Sequence, residues 1–224
     1  MKNKKIFIAC DSKNVSKIKK IIEQTKTNKI KVGYKFGLEF FNSKNGRKFI
    51  SKLKKKIIFI DLKLNDIPNT MKSAVESLKD LNINYLTVHI SSGLKALKEV
   101  KKVSGKIKIV GVTTLTSLDN NGLREIGYSK TVKNLVIHQT RLAKRANLDC
   151  LVVSPHEVRF VKKIFKKEII TPGIRFNSKK DDQRRIMTPK RAFKNGSDWL
   201  VIGRPITKGN IKNNLKQLIN HLSK

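Results

Sequence analysis

Acidic residues are scarce in this chain. Its 224 residues include 16 Asp and Glu against 51 Lys and Arg, a formal net charge of +35 at pH 7. Cysteine is scarcer still: Cys10 and Cys150 are the only two. They give neither a disulfide framework nor a Cys/His metal spacing. Each falls near an expected strand end, where a small buried thiol fits. No apolar run reaches the roughly 18 residues that a transmembrane helix needs. The start, MKNKKIFIAC, is basic, but its apolar stretch is too short for a signal peptide and leads directly into Asp11. There is no linker and no low-complexity tract. What is left is a globular composition, 38% hydrophobic, long enough for one sizeable core. We expect a cytoplasmic protein without a membrane partner.

A large positive charge raises the prospect of a polyanion partner. The arrangement of the lysines argues for a solvated basic surface instead. They are spread through every expected helix, as in KIKKII, KLKKK, KEVKK and KKIFKK, and are not gathered in one arm. Neither a zinc-finger spacing nor an aromatic-interleaved platform for single strands accompanies them. A nucleic-acid role is therefore not expected. Such a surface would still steer anionic substrates towards the protein.

Apolar runs bounded by polar residues recur at the interval of one strand plus one helix. The strand candidates are residues 5–10, 30–34, 57–61, 85–90, 107–113, 149–154, 168–173 and 198–203. They are rich in Ile and Val and read as unbroken apolar runs, the pattern of parallel strands covered on both faces. Helix-period segments lie between them at 14–25, 39–53, 67–81, 93–102, 130–147, 156–165, 188–195 and 208–222. Eight strands alternating with eight helices predict one (β/α)8 TIM barrel over residues 1–224. A doubly wound open sheet is the alternative, and eight repeats without a second domain favour closure.

A barrel of this kind carries its chemistry at the C-terminal ends of its strands. In order, those ends offer Asp11, Lys35, Asp61 with Lys63, His89, Thr116, Ser154, Arg175, and Gly203 with Arg204. Asp61 and Lys63 are two residues apart, so in a strand they face the same way. Neither charge could be buried there without a partner. They read either as a structural ion pair or as working groups. Asp66 precedes Ile67 and Pro68 and reads, taken singly, as a helix N-cap with Pro in the first turn. The loops after strands seven and eight are where such barrels bind phosphate. Here they supply Arg175, Gln183, Gly203 and Arg204. Glycine lets backbone N–H groups approach an anion, and Arg adds fork-shaped donors. The aperiodic polar stretch around 175–187 reads as a lid, with Gln183 closing over the phosphate.

The stretch FIDLKLNDIPNT, residues 59–70, resembles the DxKxxDI signature of the orotidine 5′-phosphate decarboxylase family through Asp61, Lys63, Asp66 and Ile67. The likeness continues in IACD, KFGLEFF, TVHISSG, GVTTLTS, VVSPHE, TPGIR, DQRRIMTP and VIGRPIT, in the family's order and over nearly the whole chain. It implies a carboxy-lyase that converts orotidine 5′-phosphate (OMP) to UMP and CO2, the last step of de novo UMP synthesis. It also implies that no metal and no organic cofactor is used. Carried over residue by residue, Lys63 is the proton donor to C6 and Asp61 holds Lys63 and crowds the substrate carboxylate. Lys35 pairs with Asp61 and contacts the ribose, and Asp11 binds the ribose. Thr116 and Ser154 line the pyrimidine. Asp66 and Thr70 reach across a homodimer interface into the partner's site. His89 matches the family's VH pair and reads as a structural rim residue. Asn65 stands where many relatives have histidine.

Sugar-phosphate enzymes of the same superfamily keep the strand-three motif but use magnesium, held by a carboxylate at the end of strand two. This chain has Lys35 there, and Glu39 is offset by four residues.

Overall fold

In the computed structural model, which describes residues 4–176 and 186–223, eight parallel strands close into a barrel in sequence order. They are β1 (Lys5–Ala9), β2 (Lys31–Gly37), β3 (Ile57–Leu64), β4 (Tyr85–His89), β5 (Lys108–Val112), β6 (Cys150–Val152), β7 (Glu168–Thr171) and β8 (Trp199–Ile202). Pairing of Lys5 with Trp199 begins the β1–β8 seam that closes the ring. Around it run α1 (Val15–Gln24), α2 (Leu38–Phe41), α3 (Gly46–Ser51), α4 (Pro68–Ser77), α5 (Gly93–Val103), α6 (Asn120–Glu125), α7 (Val132–Arg145), α8 (Val158–Ile164), α9 (Pro189–Lys194), α10 (Arg204–Thr207) and α11 (Ile211–Ser223). No helix of the described residues is long and apolar enough to cross a membrane.

The hydrophobic patterning explains this layering. On α1, Ile18, Ile21 and Ile22 form one buried stripe while its lysines face outward. The strands bury both faces: one against the helices, the other inside the barrel. Inside, Phe7 stacks on Trp199 with ring centroids 4.1 Å apart and meets Tyr85 edge-on at 5.2 Å. Phe7 pairs in register with Gly33, and its ring occupies the space a side chain would take there. A Cβ on Gly33 would sit 2.6 Å from Phe7 Cε1.

The N-terminal end of the barrel is sealed by one carboxylate. Glu168 Oε1 accepts from Lys5 Nζ at 3.0 Å and Trp199 Nε1 at 3.4 Å. Its Oε2 accepts from Lys108 Nζ at 2.8 Å, the Tyr85 hydroxyl at 3.1 Å and Cys150 Sγ at 3.5 Å. Burial alone would raise the Glu168 pKa, but the two lysines outweigh it and hold the carboxyl down at about 2.

Several boundaries differ from the sequence expectation, each for a physical reason. β2 continues three residues past 34 to Gly37, and β3 continues past Asp61 to Leu64. Their charges pair with each other inside the barrel and do not end the strands. The segment 39–53 divides into α2 and α3, because the chain folds back so tightly that a Cβ on Gly46 would lie within 1.8 Å of the Phe40 carbonyl oxygen. α6 was not expected; Asp119 caps it by accepting from Asn121 N and Gly122 N. After β8 the helix expected at 208–222 is α11, and it is preceded by the short α10, which was not expected.

Candidate active site

The C-terminal mouth of the barrel holds a cavity of about 250 Å3. Its floor is apolar, built from Phe59, Val112, Val152 and Val201 on four different strands. Its wall on the β1–β3 side is a row of alternating charges. Lys35 Nζ lies 3.1 Å from Asp11 Oδ1 and 3.5 Å from Asp61 Oδ2. Lys63 Nζ donates to the other oxygen of the same carboxylate, Asp61 Oδ1, at 2.9 Å. The sequence Asp11, Lys35, Asp61, Lys63 thus runs minus, plus, minus, plus around the rim.

Burial alone would push the Lys35 ammonium towards neutrality, but the carboxylates of Asp61 and Asp11 outweigh it and leave its pKa raised. The same holds in mirror image for Asp61. Burial would favour its protonated form, and the charges of Lys35 and Lys63 keep its pKa below the ordinary carboxylate value. Both groups are therefore charged at neutral pH. His89 at the rim has a lowered pKa, first from burial and then from the nearby Lys63 charge.

Lys63 is held in an unusual way. Its φ is +51°, the left-handed region, which costs a residue with a side chain on the order of 1–2 kcal/mol. The β3–β4 ladder breaks its register between Ile60 and Leu64, so the Lys63 N–H has no strand partner. It donates instead to Thr87 Oγ1 at 2.8 Å. That hydroxyl in turn donates to Asp61 Oδ1 at 3.0 Å. The sequence reading overlooked Thr87, which between Leu86 and Val88 reads as an ordinary strand former. The available signal was parity: Tyr85, Thr87 and His89 share one face of β4.

Thr116, Ser154 and Arg175 line the rest of the cavity, and Gly203 and Arg204, at the end of β8, close it beside the Asp11 end of the charged row. The Ser154 hydroxyl is buried, with no hydrogen-bond partner among the described residues. Arg175 is buried, and its backbone N–H donates to the Met187 carbonyl at 3.0 Å. A Cβ on Gly203 would approach Ala9 Cβ to 3.3 Å. Gln183 lies outside the described residues.

Asp66 does not cap α4. Pro68 excludes the preceding residue from the helical region, so Ile67, at φ −64° and ψ 157°, is the N-cap. Asp66 Oδ1 accepts from the Ile67 N–H at 2.7 Å and makes no ion pair among the described residues. Asp66 and Thr70 are both exposed and stand outside the cavity of their own chain. Asn65 accepts a hydrogen bond from Ser92 Oγ at 2.7 Å, which ties this loop to the end of β4. Cys10 and Cys150 are buried free thiols, with Cys150 in the floor cluster at the far end of the barrel.

A larger, shallower recess of about 810 Å3 lies on the outside between α1 and α3, ringed by Lys19, Lys20, Lys48 and Lys52. Its one carboxylate, Glu23, is exposed and pairs with Lys26, which does not line the recess. The barrel mouth instead gathers largely buried, mutually paired charges, and there positive side chains outnumber negative ones, as an anionic ligand requires.

A family model described as orotidine 5′-phosphate decarboxylase / HUMPS family matches residues 4–217. An orotidine 5′-phosphate decarboxylase of Wolbachia pipientis subsp. Culex pipiens is 46% identical over 185 residues, covering 80% of this chain and 81% of that protein. Another from Wolbachia sp. subsp. Brugia malayi is 42% identical over 221 residues and covers 96% of each chain. The crystal structure of orotidine 5′-phosphate decarboxylase from Lactobacillus acidophilus superposes with a TM-score of 0.84 at 30% identity, over 99% of this chain and 100% of that one.

Proposed function

The chain belongs to the orotidine 5′-phosphate decarboxylase / HUMPS family, and from that premise we propose that it decarboxylates OMP to UMP and CO2 in pyrimidine biosynthesis. The observation that carries this reading is the row Asp11, Lys35, Asp61, Lys63 at the barrel mouth, with the Lys63 ammonium on the cavity.

The reaction leaves an electron pair on C6 of the pyrimidine as the C6–carboxylate bond breaks and CO2 departs. A preorganised cation beside C6 stabilises that developing charge. A proton donor within reach converts it to the C6–H bond of UMP. Lys63 does both in this reading: its ammonium faces the carbanion, gives up one proton, and regains it from water. Asp61 holds Lys63 and presents a negative charge to the departing carboxylate. Lys35, fixed between Asp11 and Asp61, keeps the row intact and with Asp11 contacts the ribose. Arg175 and Arg204, with the open backbone at Gly203, take the phosphate, and Gln183 completes that end. Ser154 and Thr116 address the pyrimidine edge. The unpartnered Ser154 hydroxyl supports this, because a buried polar group needs a partner that a ligand can supply. No step in this mechanism calls for a metal or organic cofactor.

The HUMPS chemistry named in the family's description needs a carboxylate at the end of β2 if it follows the magnesium-dependent pattern. That position is Lys35, and Glu39 is exposed on α2, outside the cavity. These placements favour the decarboxylase.

We read the working form as a homodimer in which Asp66 and Thr70 of each chain serve the other's site. Among the described residues, the exposed large hydrophobics are Leu38, Ile67, Ile126 and Tyr128. All four follow β2, β3 or β5, at the mouth of the barrel, which supports a contact through that face. The reading also places the enzyme in the cytoplasm, where free thiols persist.

The test is the absorbance change of OMP with purified protein and no added metal. Turnover insensitive to EDTA is expected. Loss of turnover in EDTA and its return with magnesium overturns the metal-free mechanism. For the dimer, an inactive Asp66 variant mixed with an inactive Lys63 variant should recover activity through hybrid sites. Hybrids that form and stay inactive refute the shared site.

A further inference from the structure

Thr87 is fully buried and does not line the cavity, so it is not placed to touch substrate. Its hydroxyl has one proton to donate and lone pairs to accept, and both capacities are used on the working row. It accepts from the backbone N–H of Lys63 at 2.8 Å and donates to Asp61 Oδ1 at 3.0 Å. The Asp61 oxygen it bonds is the one that receives Lys63 Nζ. One hydroxyl therefore fixes both the backbone that presents the ammonium and the carboxylate that receives it.

The two strands differ in rigidity where this happens. β4 pairs with β5 in unbroken register from Tyr85 with Lys108 to His89 with Val112. β3 loses register to β4 between Ile60 and Leu64, and Lys63 turns left-handed within that gap. Regular pairing thus anchors Thr87 on one side, and the irregular segment hangs from its hydroxyl on the other. Ser92, just past β4, holds the next part of the segment through Asn65.

We propose that Thr87 is a positioning residue for the decarboxylation read above, holding Lys63 against Asp61 at the spacing the proton transfer uses. The proposal rests on that reading of the activity for its kinetic consequence. It differs from simple satisfaction of a buried N–H in what it says about turnover.

Thr87→Val keeps the branched shape and removes the hydroxyl. It should lower kcat by about tenfold to a hundredfold, the penalty of a small misplacement of a reacting group, while KM for OMP moves less than about threefold. Thr87→Ser keeps the hydroxyl and should restore kcat to within about threefold of the parent. Circular dichroism and the thermal midpoint identify a variant that has failed to fold. The second measurement needs no turnover: the 1H–15Nζ correlation of the Lys63 ammonium in the unliganded protein. It should be present in the parent and in Thr87→Ser and be lost in Thr87→Val.

If the parent turns over OMP and Thr87→Val matches its kcat, or Thr87→Ser is as impaired as Thr87→Val, the proposal is wrong while the activity stands. If the parent leaves OMP untouched, the activity is wrong. The Lys63 correlation then decides on Thr87 alone: its loss in Thr87→Val and return in Thr87→Ser supports the positioning role, and an unchanged signal ends it.

Discussion

The two ends of the barrel interior carry nearly the same charges and do different things with them. At the N-terminal end, Glu168 sits between Lys5 and Lys108. At the C-terminal end, Asp61 sits between Lys35 and Lys63. Each carboxylate also accepts a neutral hydroxyl, from Tyr85 below and Thr87 above. Below, the aromatic rings of Phe7, Tyr85 and Trp199 fill the space beside the carboxylate, and Trp199 and Cys150 add further donors to it. Above, the row borders an open cavity, one lysine stands on a left-handed backbone, and a buried hydroxyl waits unpartnered. A carboxylate between two lysines is therefore not by itself a sign of chemistry. Space beside the charges, backbone strain and an unmet hydrogen bond separate the site from the seal.

That contrast can be broken most severely at Lys63. Lys63→Ala should cut turnover of OMP by at least about a thousandfold, the upper range for removing a proton donor, and leave the circular dichroism spectrum intact. The matching deletion at the other end, Lys108→Ala, should leave kcat within about twofold. Near-normal turnover by Lys63→Ala, or collapse of turnover in Lys108→Ala at a temperature where it is folded, would reverse the assignment of the two ends.

Next in size is the seal. Glu168→Ala strands Lys5 and Lys108 beside each other and should cost about 2–3 kcal/mol of stability by denaturant titration, with kcat unchanged where the variant is folded. Acid sharpens the same comparison. Because the folded Glu168 pKa is lowered from 4.5 to about 2, its contribution is complete above pH 4.5 and is lost as the pH falls towards 2. Asp61, also lowered, adds a loss in the same direction below its ordinary value of 3.8. Glu168→Gln should therefore start less stable at pH 7 and lose less than the parent between pH 5 and pH 3. Parallel losses in the two proteins would contradict this.

The smallest effect belongs to Ser154. Removing an unpartnered buried hydroxyl should raise the stability of the ligand-free protein by up to about 1 kcal/mol. Ser154→Ala should also raise KM for OMP, by roughly tenfold for one lost hydrogen bond to the ligand. A variant both less stable and kinetically normal would mean that Ser154 serves the fold.

Most of the barrel is legible in the sequence because parallel strands buried on both faces leave continuous Ile and Val runs, and the loops between them are polar. The differences that touch the site fall where charges enter the barrel. Lys35 and Asp61 read as strand ends, since a lone charge inside a barrel is prohibitive. Their partners come from other strands, which local sequence cannot reveal. Asp66 reads as a cap by residue type, yet Pro68 assigns that position to Ile67 through backbone sterics. The grouping of Asp11, Lys35, Asp61 and Lys63 was reachable from the strand ends and the family motif together. Parity alone puts Thr87 on the face of His89, but its hold on Lys63 was not reachable, because that lies in a break of register that only the folded ladder displays.

The bond from Lys63 N to Thr87 also bears on the order in which the molecule is made. Its two partners are 24 residues apart, so a chain that has placed β1 to β3 holds the Lys63 ammonium and its Asp61 carboxylate but has nothing to set the backbone beneath them. Lys63 acquires its geometry only when β4 docks. A nascent barrel is thus chemically mute until its fourth strand is in place, and any fluctuation that peels β4 from β3 should silence the site well before the ring itself opens.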